Sequence, residues 1–274
     1  MKMAEKNIRW AFNISKWNPS RDEIVRCTTY VQPEEKERLG RFIFKNDFKS
    51  SLIGRLLMRK FVAEASESLY NEILFSRNDK GKPILVNPSF EALKFNVSHQ
   101  GDYVVLVGSN NNNFLGVDVM KMEYKGGKKL SEFFRLMTRQ FSNYEWETIK
   151  LGSEYEQIRM FYRHWCLKES YVKAVGVGIT VDLQNISFKV IEKKLGLNEI
   201  LKSTQLFLNG QKQNWEFHEM LLDENHCVAV GIEGLGNEEI FFKELNINEL
   251  IGNGVPITIE DSEFCDSYYE KLDR

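Results

Sequence analysis

The order of its predicted elements is the feature of this sequence that most restricts its fold. Residues 33–66 and 158–176 carry apolar residues at the helical period, and a series of short strand-like runs follows each stretch. Strands that follow one another directly favour antiparallel pairing, whereas a parallel sheet needs a crossover between its strands. The sequence therefore predicts an α+β fold of two pseudo-symmetric halves, each a mainly antiparallel sheet packed with a long helix.

A run of small polar residues, Ser109-Asn-Asn-Asn-Asn113, separates the two series. Such a run is typical of a surface turn or linker, so we set the domain junction there. The predicted halves are residues 1–109 and 114–274. After residue 233 the chain becomes acidic and rich in loop-forming residues, and we assign this extension to the second half.

Local signals predict where individual elements begin and end. We expect a turn near residues 46–47 in the first helix and a new helix after Ser142, because Ser142 and Glu145 have the spacing of a capping box. The predicted strands are Glu72–Ser76, Pro83–Val86, Leu93–Val97, Tyr103–Gly108, Phe114–Met120, 185–191, 204–208, 214–219 and 226–232.

Composition excludes several classes of protein. The chain has 274 residues, 42% of them apolar, which is enough for sizeable cores. Its 37 basic and 39 acidic residues nearly cancel, so no global field favours nucleic acid or an anionic membrane. The four cysteines are scattered without metal-ligand spacing, and no apolar run is long enough to span a bilayer. We expect a cytosolic protein with reduced thiols.

An acidic residue falls within the apolar stripe of the helix around residues 158–176. Ile158, Phe161, Trp165, Val172 and Gly176 form the stripe, and Glu169 lies on it. A carboxylate on an apolar face needs a cation, a metal or hydrogen-bond donors. Lys173, one turn further along, could form a simple helix-stabilising pair with Glu169. A catalytic role for Glu169 would require a second acidic residue.

Asp118 is a candidate for that second acid. It interrupts an otherwise apolar strand, and Gly116, two residues earlier, would allow a ligand or another backbone to approach. Two carboxylates from separate elements can hold a Mg²⁺ ion that substrate phosphates complete. The alternative is that Asp118 only caps a turn.

Two further segments carry polar groups suited to phosphate. Asn96, Ser98 and His99 follow an apolar strand, although a turn between strands would explain the same residues. The segment Arg77-Asn-Asp-Lys-Gly-Lys-Pro83 is a basic turn that could bind a nucleotide phosphate or be simply solvated. Arg38 on the first helix is another candidate cation.

Together these segments carry a family resemblance. Phe95-Asn-Val-Ser-His99, Gly116-Val-Asp118 and Trp165-Cys-Leu-Lys168-Glu169-Ser170-Tyr-Val-Lys173-Ala174, in this order and spacing, resemble the phosphopantetheinyl transferase superfamily. Within it the chain is similar to the large monomeric, surfactin-synthetase-activator branch, and most of all to its eukaryotic aminoadipate-type members. The resemblance covers residues 9–232.

The resemblance implies a coenzyme A site at the junction of the two halves. Asp118 and Glu169 would bind Mg²⁺, and Lys173 would contact the pyrophosphate. Many related enzymes have a second acid two residues after the Asp, where this chain has Met120, so Gln100 or water would complete the ligand set. The residues implied to bind the 3'-phosphoadenosine and pyrophosphate are Arg38, Arg77, Asn78, Asp79, Lys80, Gly81, Lys82, Asn96, Val97, Ser98 and His99.

The resemblance also implies the reaction. The 4'-phosphopantetheine arm of coenzyme A would pass to a serine of an acyl or peptidyl carrier protein, with release of 3',5'-adenosine bisphosphate. Glu169, directly or through a bound water, would be the base. The implied partners are carrier domains of fatty-acid synthase or aminoadipate reductase type, and the implied state is a monomer.

Two other classes of protein are alternatives to the transferase. A catalytically silent module could bind a nucleotide or carrier with the same fold, but Asp118, Glu169 and Lys173 argue against it. A Mg²⁺-dependent kinase would need a different phosphate loop, and the chain has no Gly-x-x-x-x-Gly-Lys-Ser/Thr sequence.

Overall fold

The chain divides into two compact units, which we describe separately. A computed structural model describes residues 7–79, 81–110, 114–176, 182–234, 240–252 and 254–273. Unit 1 comprises Met1–Asn112 and Phe242–Arg274, and unit 2 comprises Asn113–Phe241. Helices and antiparallel sheets occur in both units, which confirms the α+β prediction.

Unit 1 is built around one long helix and one sheet. In the sheet, β5 lies between β1 and β4 and is antiparallel to both. The long helix α3 packs on β4 and β5, and its apolar residues share one core with Val104 and Leu106. The elements are β1 (Asn7–Asn13), α1 (Arg21–Thr28), α2 (Pro33–Gly40), α3 (Lys45–Ser66), β2 (Phe75–Arg77), β3 (Pro83–Leu85), β4 (Lys94–Gln100) and β5 (Tyr103–Ser109).

The segment after residue 241 belongs to unit 1, which corrects our assignment of the extension to the second half. Its strand β12 (Lys243–Glu244) runs parallel to β1. Its helices are α7 (Ile247–Ile251) and α8 (Ser262–Tyr269), and they bury Leu250 and Tyr268 in the same core as α3. We assigned this segment to the second half because its acidic composition suggested a surface extension. Composition alone does not show that its apolar residues pack in the core of unit 1.

Unit 2 also pairs a 22-residue helix with an antiparallel sheet. The sheet has the order β10-β11-β6, and the helix α6 packs on β6 and β11. The elements are β6 (Leu115–Lys121), α4 (Leu130–Leu136), α5 (Asn143–Ile149), α6 (Glu154–Val175), β7 (Ile186–Lys189), β8 (Gln205–Leu208), β9 (Gln211–Lys212), β10 (Trp215–Asp223) and β11 (His226–Glu233).

Helix boundaries in unit 2 follow local capping signals. The Ser142 hydroxyl accepts a hydrogen bond from the backbone N–H of Glu145, and the Ser142 N–H donates one to the Glu145 carboxylate, so the predicted capping box is confirmed. Ser153 and Glu156 form a second box at the start of α6. Gly176 ends α6 in the left-handed conformation, which glycine adopts at little cost.

The first helical stretch breaks earlier than predicted, between Gly40 and Lys45 rather than at residues 46–47. Leu272 pairs with Phe44, and its carbonyl accepts a hydrogen bond from the N–H of Lys45. This contact spans most of the chain, so no local pattern could reveal it. In the described residues, no helix is long and apolar enough to cross a membrane.

Candidate active site

The strand β6 directs Asp118 toward helix α6. Side chains alternate along a strand, so Gly116 and Asp118 share one face. A Cβ atom added at Gly116 would lie 2.1 Å from the carbonyl oxygen of Ser170 and 2.8 Å from the Cβ of Ala174. The missing side chain therefore lets α6 lie directly on β6. This confirms that the glycine allows a close backbone approach.

Asp118 and Lys173 form an ion pair between β6 and α6. The Nζ of Lys173 donates to Oδ1 of Asp118 at 2.5 Å, and the two side chains are 30% and 5% exposed. Asp118 lies within the strand rather than at its end, so it does not cap a turn. Lys173 thus links the two predicted elements instead of only pairing along its own helix.

Glu169 lies beside this pair on α6 and is half-buried. Burial raises the pKa of Glu169, the neighbouring charge of Asp118 raises it further, and Lys173 lowers it. A carboxyl group with a raised pKa is a better proton acceptor than an ordinary glutamate. The cluster of Asp118, Glu169 and Lys173 thus combines a base, a second carboxylate and a cation.

The predicted stripe on α6 is not its most buried face. Glu169 does lie in line with Ile158 and Trp165, but these three residues are only half-buried. Leu167, Lys168 and Ser170 are almost completely buried. The helix is covered on more than one side, so apolar periodicity does not identify its exposed edge.

Two buried ion pairs in α6 were not predicted. Lys168 pairs with Glu145 at 2.9 Å, with the two side chains 2% and 0% exposed, and its Nζ also donates to the carbonyl of Leu183. Arg163 donates to both carboxylate oxygens of Glu219, at 2.6 and 2.9 Å. The acids come from α5 and β10, so spacing along α6 gave no signal for either pair.

The donor set of unit 2 fits a hard divalent cation in part. The carboxylates of Asp118 and Glu169 together carry more negative charge than the single Lys173 ammonium balances. Carboxylate oxygens are ligands that suit Mg²⁺. Met120 packs in an apolar cluster with Cys166 and Tyr171 and supplies no oxygen. Within the described ranges, no group of three acidic, His or Cys side chains could hold a metal ion.

The basic turn of unit 1 adopts a defined shape. The N–H of Lys82 donates to Oδ1 of Asn78 at 2.9 Å, and Gly81 has a φ of +77°, which favours glycine. Asp79 lies in the same turn, whereas Lys80 lies outside the described residues. Arg77 precedes the turn and binds the carboxylate of Glu35 on α2.

The polar segment after Phe95 is a strand rather than a turn. Strand β4 continues to Gln100, and the turn follows at Gly101 and Asp102, so the predicted strand end at Val97 is wrong. Asn96 and Ser98 are buried, Val97 is half-buried, and His99 and Gln100 are exposed. Pairing of β4 with β5 through Gln100 keeps this segment extended.

The structure therefore brings one group of predicted site residues together. Unit 2 brings together Asp118, Glu169 and Lys173. Unit 1 contains the remaining candidates, with Arg38 close enough to Glu35 to influence its pKa. Gln100, proposed as a metal ligand, belongs to unit 1.

Both parts of the sequence match the same family of enzymes. Residues 7–111 match the family model described as 4'-phosphopantetheinyl transferase, N-terminal, and residues 114–231 match that of the 4'-phosphopantetheinyl transferase superfamily. The chain belongs to this superfamily, which confirms the resemblance inferred from its motifs. It is accordingly a transferase that moves 4'-phosphopantetheine to carrier proteins.

Individual relatives show which members of the superfamily the chain is similar to. The chain is 39% identical to the L-aminoadipate-semialdehyde dehydrogenase-phosphopantetheinyl transferase of Xenopus laevis, over 97% of this chain and 92% of the relative. It is 40% identical to the enzyme of the same name from Homo sapiens, over 96% and 91%. A 4'-phosphopantetheinyl transferase of Bacillus subtilis is 31% identical over 63% of this chain and 72% of its own length.

Proposed function

We propose that this enzyme uses Mg²⁺ and coenzyme A to modify a serine of a carrier domain, with release of 3',5'-adenosine bisphosphate. The observation that carries the proposal is the cluster on α6 and β6, where Glu169 and Asp118 lie beside Lys173. Phosphoryl-type transfer requires charge stabilisation and positioning more than covalent participation of the protein. Two carboxylates and an ammonium group meet that requirement.

Glu169 is the proposed base. Its raised pKa, caused first by burial, favours acceptance of the serine hydroxyl proton. As the O–H bond breaks, the serine oxygen forms a bond to the β-phosphorus of coenzyme A, which carries pantetheine. The bond from that phosphorus to the bridging oxygen breaks, and its electrons leave with 3',5'-adenosine bisphosphate. The proton stays on a Glu169 carboxylate oxygen.

Lys173 and Asp118 have complementary roles in this proposal. The Lys173 ammonium faces the pyrophosphate oxygens, where negative charge develops, and its contact with Asp118 fixes its position. Asp118 and Glu169 would hold Mg²⁺, and water would complete the set of oxygen ligands. When bound, Mg²⁺ supplies positive charge that polarises the phosphate oxygens.

The cations of unit 1 serve substrate binding. Arg38, Arg77 and the turn that includes Lys82 provide positive charge, and Asn96, Ser98 and His99 provide hydrogen-bonding groups on β4. Three phosphates give coenzyme A a high negative charge, which such groups favour. We assign these residues to the 3'-phosphoadenosine and the pyrophosphate.

The proposed carrier follows from the relatives. Two relatives that are about 40% identical bear names that refer to L-aminoadipate-semialdehyde dehydrogenase. We propose a carrier domain of that type, which belongs to lysine metabolism, together with the acyl carrier domain of fatty-acid synthase. The chemistry at Glu169 is the same for both.

A transfer assay tests the proposal. The purified protein is incubated with coenzyme A, Mg²⁺ and either apo carrier domain, and intact-mass spectrometry measures the gain of phosphopantetheine on the serine. We expect full conversion with the wild type, loss of conversion with Glu169→Gln, and loss on removal of Mg²⁺ by a chelator. Conversion by Glu169→Gln at the wild-type rate would remove Glu169 from the mechanism.

A further inference from the structure

Glu35 lies between two guanidinium groups in unit 1. Arg77 donates from Nε and Nη2 to the two carboxylate oxygens of Glu35, each at 2.7 Å. Arg55 on α3 contacts the same carboxylate through its Nη2. The side chains of Arg55, Glu35 and Arg77 are 10%, 15% and 24% exposed. Three separate elements, α2, α3 and β2, therefore meet at one carboxylate.

Positive charge exceeds negative charge at this cluster. Burial acts to raise the pKa of Glu35, but hydrogen bonds from Arg77 and the charges of Arg55, Arg77 and Arg38 outweigh it and hold the pKa below its ordinary value. Glu35 is thus ionised at neutral pH. Burial lowers the pKa of Arg55 to about 10, which leaves it charged as well. Three cations surround one anion, so the cluster favours a further anion.

The guanidinium of Arg77 is held on two sides. Its Nη1 donates to the carbonyl of Gly81 at 2.6 Å, in addition to the two bonds to Glu35. Arginine has five N–H groups, so these three bonds leave two N–H groups for a ligand. A guanidinium binds phosphate best through two parallel N–H groups, and such binding depends on its orientation.

We propose that Glu35, supported by Arg55, is a positioning residue that holds Arg77 for the ribose 3'-phosphate of coenzyme A and thereby sets the preference for coenzyme A over 3'-dephospho-coenzyme A. This inference rests on the proposed function. There Arg77 is one of the residues assigned to the 3'-phosphoadenosine and the pyrophosphate, and of these groups only the 3'-phosphate distinguishes coenzyme A from 3'-dephospho-coenzyme A. Arg77 binds that group, and Glu35 acts through Arg77.

The proposal and a purely electrostatic role of Glu35 predict opposite effects of one substitution. Removal of the Glu35 charge makes the cluster more positive, so attraction of the 3'-phosphate would increase if charge alone mattered. If Glu35 orients Arg77, the same change releases the guanidinium and weakens phosphate binding. The sign of the change in selectivity therefore separates the two roles.

The experiment compares kcat/KM for coenzyme A and for 3'-dephospho-coenzyme A, with an apo carrier domain as acceptor. We expect the ratio of the two values to fall about tenfold in Glu35→Gln, since the charge-assisted hydrogen bonds that orient Arg77 are lost. Glu37→Gln is the matched control, because Glu37 lies on the same helix with its side chain 75% exposed. Its ratio is expected to equal that of the wild type.

A double-mutant cycle tests whether Glu35 acts through Arg77. Arg77→Ala is expected to lower the ratio by at least as much as Glu35→Gln, and the combination of both is expected to lower it no further. An unchanged or increased ratio in Glu35→Gln, or additive losses in the cycle, would overturn the proposal. Equal losses for both substrates would also overturn it, because the cluster would then serve the pyrophosphate.

Stability is controlled separately. Glu35→Gln leaves Arg55 buried without a carboxylate, so the variant Glu35→Gln/Arg55→Met removes that cation as well. The ratio of the kcat/KM values is measured for this variant too. Thermal unfolding of each protein checks that the variants are folded. A wild type that uses both substrates equally well contradicts the selectivity proposal alone. A wild type that transfers from neither substrate contradicts the proposed function instead.

Discussion

The two long helices differ in how they accommodate their buried lysines. Both α3 and α6 have 22 residues and pack on an antiparallel sheet of their own unit. In α3, Lys49 donates to the backbone carbonyls of Ile14 and Trp17, at 2.9 and 3.1 Å. In α6, Lys168 pairs with the buried carboxylate of Glu145. The first arrangement uses neutral acceptors and the second uses charged ones.

The difference between the lysines extends to Arg59 of α3 but not to Arg55, which pairs with the Glu35 carboxylate. Backbone carbonyls anchor α3 to loops, and Arg59 follows the same pattern by donating to the carbonyl of Ile73 at 2.7 Å. In α6, the buried ion pairs of Arg163 and Lys168 hold the part of the helix that leads to Glu169. Loss of one partner from a buried pair costs more than loss of a donor to neutral carbonyls. Matched substitutions in α6 and α3, and in the strands on which they pack, test this difference.

The largest effect is expected from Lys168→Met compared with Lys49→Met. Removal of Lys168 leaves the buried Glu145 carboxylate unpaired, for a loss of about 3–5 kcal/mol in the free energy of unfolding. Removal of Lys49 leaves two carbonyls without this donor, for a loss of about 1–3 kcal/mol. Urea unfolding at pH 7.5 measures both. Equal losses in the two variants would contradict the distinction between the helices.

The pH dependence of Lys168→Met provides a further check. Burial already raises the pKa of Glu145, and loss of the Lys168 charge removes a group that lowers it. A folded-state pKa above the unfolded value favours the folded protein at low pH and penalises it as the pH rises. The stability deficit of this variant should therefore narrow between pH 7.5 and pH 5. A constant deficit would indicate lost packing instead.

The next largest effect is expected from Gly116→Ala in the site itself. The added Cβ would meet the Ser170 carbonyl oxygen at 2.1 Å, and this backbone contact forces α6 away from β6. Displacement of Lys173 and Glu169 from Asp118 by about 1 Å can lower the transfer rate about 100-fold. Steady-state kinetics with saturating coenzyme A measure the loss. Wild-type turnover would show that the close approach is not needed for catalysis.

A smaller effect concerns the acid limb of the pH–rate profile. Glu169 accepts a proton only when it is ionised, so kcat should fall about tenfold per pH unit below its pKa. Burial and the charge of Asp118 raise that pKa, and Lys173 lowers it, so removal of the Lys173 charge should move the limb of the residual activity to higher pH. A limb that stays in place in Lys173→Met would argue against Glu169 as the base.

The smallest effect is expected from Gly54→Ala, the counterpart of Gly116→Ala at the other helix–sheet contact. An added Cβ would meet only methyl groups of Val104 and Val97, both at 3.9 Å, which is ordinary contact distance. Replacement of a glycine within a helix should add up to about 1 kcal/mol to stability, and transfer should not change. Thermal unfolding measures the gain. A destabilised variant would show that α3 is also in close contact with its sheet.

The elements that the sequence predicts well have local causes. The capping box at Ser142 involves residues three positions apart, and the helix it starts was predicted with its correct first turn. Asp118, Glu169 and Lys173 were predicted as one site because their motif is specific, and the structure brings them together. The alternation of β6 also explains the role of Gly116.

The features that the sequence could not predict have distant causes. The end of α2 and the start of α3 depend on Leu272, near the other end of the described chain. The partner of Arg77 is Glu35, 42 positions away, and that of Arg163 is Glu219, 56 positions away. Charged residues offer many equivalent partners in a sequence. Only the fold selects among them, so neither Glu35 nor Lys168 was recognised.

The return of residues 242–273 to unit 1 has a consequence for the order of folding during synthesis. Unit 2 is one continuous stretch, so its sheet can close as soon as β11 has left the ribosome. Unit 1 acquires β12, α7 and α8 only after all of unit 2 has been translated. Because domains usually fold as units as they emerge, the unit synthesised first would be the last to be completed.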